Sequence, residues 1–244
     1  MTLLARSLSV VRDGQEIVRD VSVRVEPGEI VGLFGPSGAG KSTFFEALVG
    51  EVVPNKGTIH FNETEVTRLP LPAKFHLQWL YLPQTPALFL SATVEKNLGF
   101  FREAANKSAA RTGTDILRES VPSDGEILER LGLAHRHGVR ARDLSAGEKR
   151  KLEFARALLQ KLQVIVCDEP FGGVDPQGVQ LLSEFLVKFA KGGARVLLSD
   201  HHVAETLSIC NAASLLVDGR SVLSLPASEF RAHEWVKGRY LSSE

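Results

Sequence analysis

The chain has 244 residues, enough for one large domain or two small ones and for a sizeable buried core. Hydrophobic residues at 43% and charged residues at 24% give an ordinary soluble profile, and 29 Lys plus Arg against 29 Asp plus Glu leave no global basic field that would argue for nucleic acid. The two cysteines, Cys167 and Cys210, exclude a disulfide framework. The first residues have no sustained apolar core for a signal peptide, and no run of ~18 apolar residues could span a bilayer. If the chain works at a membrane, another chain supplies the membrane part.

In chain order, residues 2 to 25 read as strands around a turn at Arg12-Asp13-Gly14-Gln15, with Val21, Val23 and Val25 alternating with polar residues. Glu26-Pro27-Gly28 is a second turn, leading into the nearly unbroken apolar run Glu29 to Phe34, which suits a buried parallel strand. Then comes Gly35-Pro36-Ser37-Gly38-Ala39-Gly40-Lys41-Ser42-Thr43, which fits the phosphate-loop pattern G-x-x-x-x-G-K-[ST], and a helical segment from Ser42 to Val49 that Gly50 ends. Pro54 to Gly57 turns the chain into a short strand, Thr58 to Phe61, and Leu80 to Gln84 reads as a strand broken at Pro83-Gln84.

From Thr85 to about Asp143 the texture is helical. Ala92 to Phe101 reads as a first helix, Asn106 to Thr114 as an exposed loop, and Ser123-x-x-Glu126 as a capping box opening a second helix. A second capping box, Ser145-x-x-Glu148, opens a helix with Leu152, Ala155 and Leu159 on one face, and Lys149, Arg150 and Lys151 read as its solvated face. Val164 to Cys167 and Arg195 to Ser199 are buried strands ending at Asp168-Glu169 and Asp200-His201-His202. Ala213 to Val217 and Ser221 to Leu225 make a closing hairpin, and the end from Ala227 reads as helical. The fold class expected is α/β: a phosphate-loop nucleoside triphosphatase (P-loop NTPase) core with a mainly parallel sheet, an N-terminal antiparallel β part and an inserted helical subdomain. Its division is one nucleotide-binding domain, residues 1–83 and 144–244 forming the core and 84–143 the helical subdomain.

Ligands of open α/β sheets bind beyond the carboxyl ends of the strands, and that rule gathers Lys41, Asp168, Glu169 and His201. The glycines let backbone N–H groups close on phosphate oxygens, Lys41 reaches the outer phosphates of ATP, and Ser42 offers its hydroxyl to Mg²⁺. Asp168 is a second Mg²⁺ residue, directly or through water, and Glu169 is the candidate general base for an attacking water. His201 would contact the terminal phosphate and orient Glu169. Gln84 could touch Mg²⁺ and the water while linking core to insertion. His201 and Glu205 are four apart, but with no further ligand pair in sight no metal site is read there.

At Leu144-Ser145-Ala146-Gly147-Glu148 the pattern becomes specific. Together with the phosphate loop, Gln84, Asp168-Glu169, Asp175 in Gly173-Val174-Asp175-Pro176 and His201, in that order, the chain strongly resembles the ATP-binding cassette family. The resemblance implies a homodimer closed by ATP, each nucleotide lying between the phosphate loop of one subunit and Ser145, Gly147 and Asp175 of the other. Leu69 to Gln84, Asp168 to Pro176 and Asp200 to Cys210 are further similar to the lipopolysaccharide-export (Lpt B-type) ATPases of Gram-negative bacteria. That similarity implies an ATPase on the cytoplasmic face of the inner membrane, reaching the membrane only through two transmembrane permease subunits. Their docking groove would be lined from Leu88-Phe89-Leu90 to Phe100-Phe101; the alternative is that these aromatics fill the core of the insertion.

The chain departs from the family pattern in three places. Val11 and Arg12 stand where an aromatic usually stacks on adenine, so Arg12 would have to offer its guanidinium plane instead. Ala146 and Glu148 replace a glycine and a glutamine of the signature, and His202 stands where Asp or Asn is usual. Other functions carried forward are a branched-chain amino-acid importer ATPase, a soluble cassette protein acting on nucleic acid or ribosomes, and a binding switch with little turnover. The full set of Lys41, Asp168, Glu169 and His201 argues against the last.

Overall fold

The computed structural model describes residues 2–112 and 121–237. Strands β1 (Leu3–Arg12) and β2 (Gln15–Val25) form a hairpin whose turn residues Asp13 and Gly14 have φ of 49° and 77°, the left-handed pair that a two-residue hairpin turn needs. β3 (Ile30–Phe34) leads through the phosphate loop into α1 (Lys41–Val49), which Gly50 ends in the left-handed conformation. Next come β4 (Lys56–Phe61), β5 (Thr64–Glu65), α2 (Leu71–His76) and β6 (Trp79–Leu82). The helical part holds α3 (Val94–Thr112), α4 (Asp124–Arg130) and, packed on both, α5 (Ala146–Leu158). The chain closes with β7 (Val164–Asp168), α6 (Pro176–Lys191), β8 (Arg195–Ser199), α7 (Val203–Ile209), β9 (Ala212–Val217), β10 (Arg220–Pro226), α8 (Ala227–Ala232) and α9 (Glu234–Val236).

These strands make two sheets. One is antiparallel, in the order β2-β1-β4-β5; the other runs β10-β9-β3-β8-β7-β6 and is parallel except at β10. The expected α/β class, with its N-terminal antiparallel part and helical insertion, is the one observed. Strand periodicity explains how one sheet serves two cores. Ile30, Leu80, Leu82, Ile165, Cys167, Val196 and Leu198 face an apolar cluster shared with Leu98, Ile127 and Leu152 of the helical part. Their neighbours Val31, Leu33, Trp79, Tyr81, Val164, Val166 and Leu197 face the opposite cluster, with Phe44 and Phe45 of α1 and the valines of β2. Being buried on both faces is what gives these strands their unbroken apolar composition.

Two readings of the helical region change, and one short helix before it, α2, had no reading in the sequence. The first helix begins at Val94 and continues to Thr112, so Asn106 to Thr112 is helix and not exposed loop; Gly113 and Thr114 lie outside the described residues. Its small polar composition conceals a working face. Ala105 and Ser108 are buried, Lys107 pairs with Glu103 four residues earlier, and alanine favours helix. Helix α2 shows no periodic stripe over its six residues; its Lys74 is fully buried and donates to the Leu48 carbonyl in the last turn of α1 at 2.7 Å. Burial lowers the Lys74 ammonium to about 8. Arg150, read as part of a solvated face, is buried. Both capping boxes and the closing hairpin form where expected, and the helical C-terminal segment is present as α8 and α9; the residues beyond Lys237 lie outside those described.

Candidate active site

The sheet order places β3, β8, β7 and β6 side by side, so Gly35, His201, Asp168-Glu169 and Gln84 follow the carboxyl ends of four adjacent parallel strands. At β3, Gly38 and Gly40 have φ of 79° and 97°, and a side chain on Gly40 would drive its Cβ to 2.9 Å from the Ile17 carbonyl. Gly40 begins α1 without a side-chain cap, which leaves the first amides of the helix free to meet an anion. Pro36, Ser37 and Gly38 are exposed, Ala39 and Thr43 buried, and Ser42 half-buried. The Lys41 ammonium donates to the Gly35 carbonyl at 2.6 Å and the Pro36 carbonyl at 3.1 Å. Its pKa is lowered, chiefly by burial, against the opposing pull of Asp168 and Glu169.

Asp168 ends β7. One of its oxygens accepts the Ser199 hydroxyl at 2.9 Å; the other, Oδ2, is buried with no protein partner. A buried carboxylate oxygen left unpaired is costly, and a cation would satisfy it. The oxygen donor set of Ser42, Asp168 and Gln84 is the hard type that Mg²⁺ prefers. Glu169 sits at φ 53°, a left-handed conformation that a non-glycine residue adopts at a cost of order 1 kcal/mol. Its amide donates to the Ser199 carbonyl at 2.8 Å, and its Oε1 lies 2.8 Å from His201 Nε2. His201 is exposed on its other side. A carboxylate held against a solvent-facing imidazole, beside a lysine and an unpaired carboxylate, can activate a water toward a phosphate.

Gln84 is exposed, and its backbone is clamped. The Arg150 guanidinium donates to the Pro83 carbonyl at 2.7 Å, the Gln84 carbonyl at 2.5 Å and Glu153 at 2.8 Å; Glu153 in turn accepts the Ala87 amide at 2.8 Å. The signature helix α5 thus holds the loop that carries Gln84. Ser145 and Glu148 complete a reciprocal cap, with Glu148 also taking the Arg136 guanidinium at 2.7 Å. Burial pushes the Glu148 carboxyl up, but the Ser145 and Arg136 hydrogen bonds together hold it below its ordinary value. Gly147 is buried against Gly173, so the signature packs on the Asp168 to Asp175 turn of its own chain. Asp175 is exposed and caps α6, accepting the Gly178 amide at 2.9 Å and Lys151 at 3.2 Å; those two, the amide first, lower its pKa. Arg12 is tied to Glu46 of α1 at 2.5 Å, which tethers its guanidinium beside the phosphate-loop helix.

One chain therefore brings together Lys41, Asp168, Glu169 and His201. Ser145, Gly147 and Asp175 form a second group around α5 and α6. Sequence reasoning missed Arg150, Ser199 and Asp200. The one sequence signal for Arg150 is Glu153, three residues on and next to Leu152 of the apolar stripe, where a carboxylate needs a buried partner.

Beside the Gln84 loop lies a cleft of about 440 Å³ lined by Phe75, Ala87, Phe89, Phe100, Phe101 and Arg156. Phe89 and Phe100 meet edge to face at 4.9 Å yet are 55% and 44% exposed, so they wall a groove and do not fill the core. Phe101 is half-buried beneath the Arg156 guanidinium. Among the described residues no helix is long and apolar enough to cross a membrane.

A family model described as ABC transporter matches residues 18–172. The lipopolysaccharide export system ATP-binding protein LptB of Escherichia coli (strain K12) is 35% identical over 243 residues, covering 100% of this chain and 98% of that protein. Its namesake from Acidithiobacillus ferridurans is 35% identical over 242 residues, covering 99% and 97%. Among solved structures, an ATP-binding subunit of an ABC transporter superposes with a TM-score of 0.82 at 28% identity, covering 100% of this chain and 97% of the other. The ADP conformation of MJ1267, an ATP-binding cassette, gives 0.79 at 22% identity, covering 99% of each, which shows likeness of fold alone.

Proposed function

The chain belongs to the ABC transporter family as one of its ATPases, and on that premise we propose that it powers lipopolysaccharide export through separate membrane subunits. The observation that carries the ATPase chemistry is the Glu169–His201 pair at 2.8 Å beside the unpaired oxygen of Asp168. Similarity to LptB over the full chain supports the cargo. Lys41 and the free backbone N–H groups of the loop Gly35 to Thr43, whose Pro36 has none and whose Ala39 amide is already held by the Pro36 carbonyl, bind the phosphates. Glu169 takes the proton of the attacking water, and His201 holds Glu169 in place and meets the terminal phosphate. Ser42, Gln84 and Asp168 would hold Mg²⁺, which neutralises phosphate charge when bound. Ser145 and Gly147 at the amino end of α5, with Asp175, complete the site of a second copy, so ATP closes a homodimer. The exposure of Ser145 and Asp175 suits that role. The chain then works at the cytoplasmic face of the inner membrane, held there by two permease subunits.

The Phe89–Phe100 groove is where a helix of each permease docks, the Gln84 loop beside it carrying the state of the nucleotide site. Burying one such aromatic is worth ~2 kcal/mol. Phe89→Glu is expected to lose copurification with the membrane subunits while keeping the ATPase activity of the isolated protein. Loss of ATPase activity in the isolated variant would show that Phe89 is structural. Copurification of the wild type with an amino-acid importer permease would overturn the cargo assignment and leave the ATPase standing.

Arg12 offers its guanidinium plane to adenine, with Glu46 fixing the plane. Arg12→Ala is expected to weaken ATP binding by ~1 kcal/mol, the scale of an exposed cation–π contact. Unchanged binding, with ATP still strongly preferred over GTP, would place the adenine elsewhere.

A further inference from the structure

Two consecutive histidines each meet a different carboxylate. His201 Nε2 faces Glu169 Oε1, while His202 Nδ1 lies 2.8 Å from Asp200 Oδ1. The Asp200 side chain is 1% exposed and holds two loops at once. Its Oδ1 also accepts the His202 amide at 2.9 Å, and its Oδ2 accepts the Phe171 amide at 2.7 Å. Phe171 is fully buried two residues after Glu169, and the His202 ring stands edge to face against it at 6.5 Å. The carboxylate accepts, so His202 Nδ1 carries the hydrogen. The loop after β7 and the loop after β8 are thus cross-braced twice, by the Glu169 amide on the Ser199 carbonyl and by Phe171 and His202 on Asp200. The left-handed backbone of Glu169 sits between the two braces. Such a conformation persists only where its surroundings over-determine it.

We propose that His202 is a positioning residue for hydrolysis: its Nδ1–H bond to Asp200 fixes the Phe171 turn against the His201 loop and so sets Glu169 against His201. The inference rests on the roles given above to Glu169 and His201. Among the described residues the side-chain partners of His202 are Asp200 and Phe171, not the phosphate loop or Glu169, so it acts on the rate of the step and not on nucleotide affinity.

Two substitutions separate the hydrogen bond from the ring. Asn carries a donor at the same number of bonds from Cα as His Nδ1, without the ring; Phe keeps the ring without the donor. His202→Phe is expected to lower kcat roughly tenfold with KM for ATP unchanged and Tm lowered by no more than a few degrees, the scale of one charge-assisted hydrogen bond passed in part to the transition state. His202→Asn is expected to stay within about twofold of the wild-type kcat. Should the Phe ring disturb folding, His202→Ala carries the same expected loss. Wild-type kcat in the donor-less variants, or a His202→Asn rate as low as theirs, would overturn the proposal. Glu169→Gln measured alongside keeps the two readings apart. A slow Glu169→Gln with a full-speed His202→Phe overturns the positioning role alone, and a full-speed Glu169→Gln overturns both.

Discussion

Glu169→Gln is expected to bind ATP as the wild type does and to hydrolyse it at least roughly a hundredfold more slowly, or ~3 kcal/mol on the barrier. Gln keeps the size of Glu and can keep a contact with His201, but it cannot take a proton from water. Lys41 and the glycine loop are untouched, so affinity is retained. Phosphate release against equilibrium ATP binding makes the distinction. Because ATP stays bound, the variant should also accumulate as a dimer in sedimentation when ATP is present. Full turnover would remove Glu169 from the role of base.

Arg150→Met is expected to cost the largest stability of any single change considered, about 3 kcal/mol. Arg150 and Glu153 are 3% and 0% exposed, and they bond at 2.8 Å. Without the guanidinium, Glu153 keeps only the Ala87 amide and Arg156 at 3.7 Å, and the Pro83 and Gln84 carbonyls lose their donor. Burial already raises the Glu153 carboxyl above its ordinary value, against the Ala87 amide, Arg150 and Arg156; removing Arg150 raises it further. A carboxyl with a raised folded-state pKa stabilises the fold at low pH and loses that stabilisation as pH rises through the folded value. The deficit of the variant relative to wild type, read from urea unfolding, should therefore grow as pH rises from the ordinary carboxylate range through neutrality. A deficit that shrinks over that range would show that Glu153 is not the group left stranded.

What was legible in the chain follows from where the forces are local. Glu29 to Phe34, Val164 to Cys167 and Arg195 to Ser199 read as buried strands because both faces of β3, β7 and β8 pack. The charged residues just beyond them then read as a site, since such sheets bind ligands at that edge. Gly35 to Thr43 and the two capping boxes carry their geometry within a few residues. Arg150 was hard to read because its partners Pro83 and Gln84 lie 67 and 66 residues away, and Glu153, three residues on, is the one local feature that sets it apart from Lys149 and Lys151. Ser199 and Asp200 were read only as a strand end for the same reason, their partners Asp168 and Phe171 being 31 and 29 residues distant. Helix α2 is too short to show a period, and its buried Lys74 runs against the rule that lysines face water. Asn106 to Thr112 misled by composition, since loops and the solvent face of a long helix draw on the same small polar residues.

The central claim is that hydrolysis at Glu169 drives lipopolysaccharide out of a membrane. The direct measurement is to isolate the protein with its membrane subunits, place the complex in lipid vesicles containing lipopolysaccharide, and follow release of that lipid on adding ATP and Mg²⁺. The wild-type complex should release it with ATP, and the complex carrying Glu169→Gln should not. ATP turnover by the wild-type complex with no lipopolysaccharide release, or release that continues undiminished in Glu169→Gln, would contradict the account.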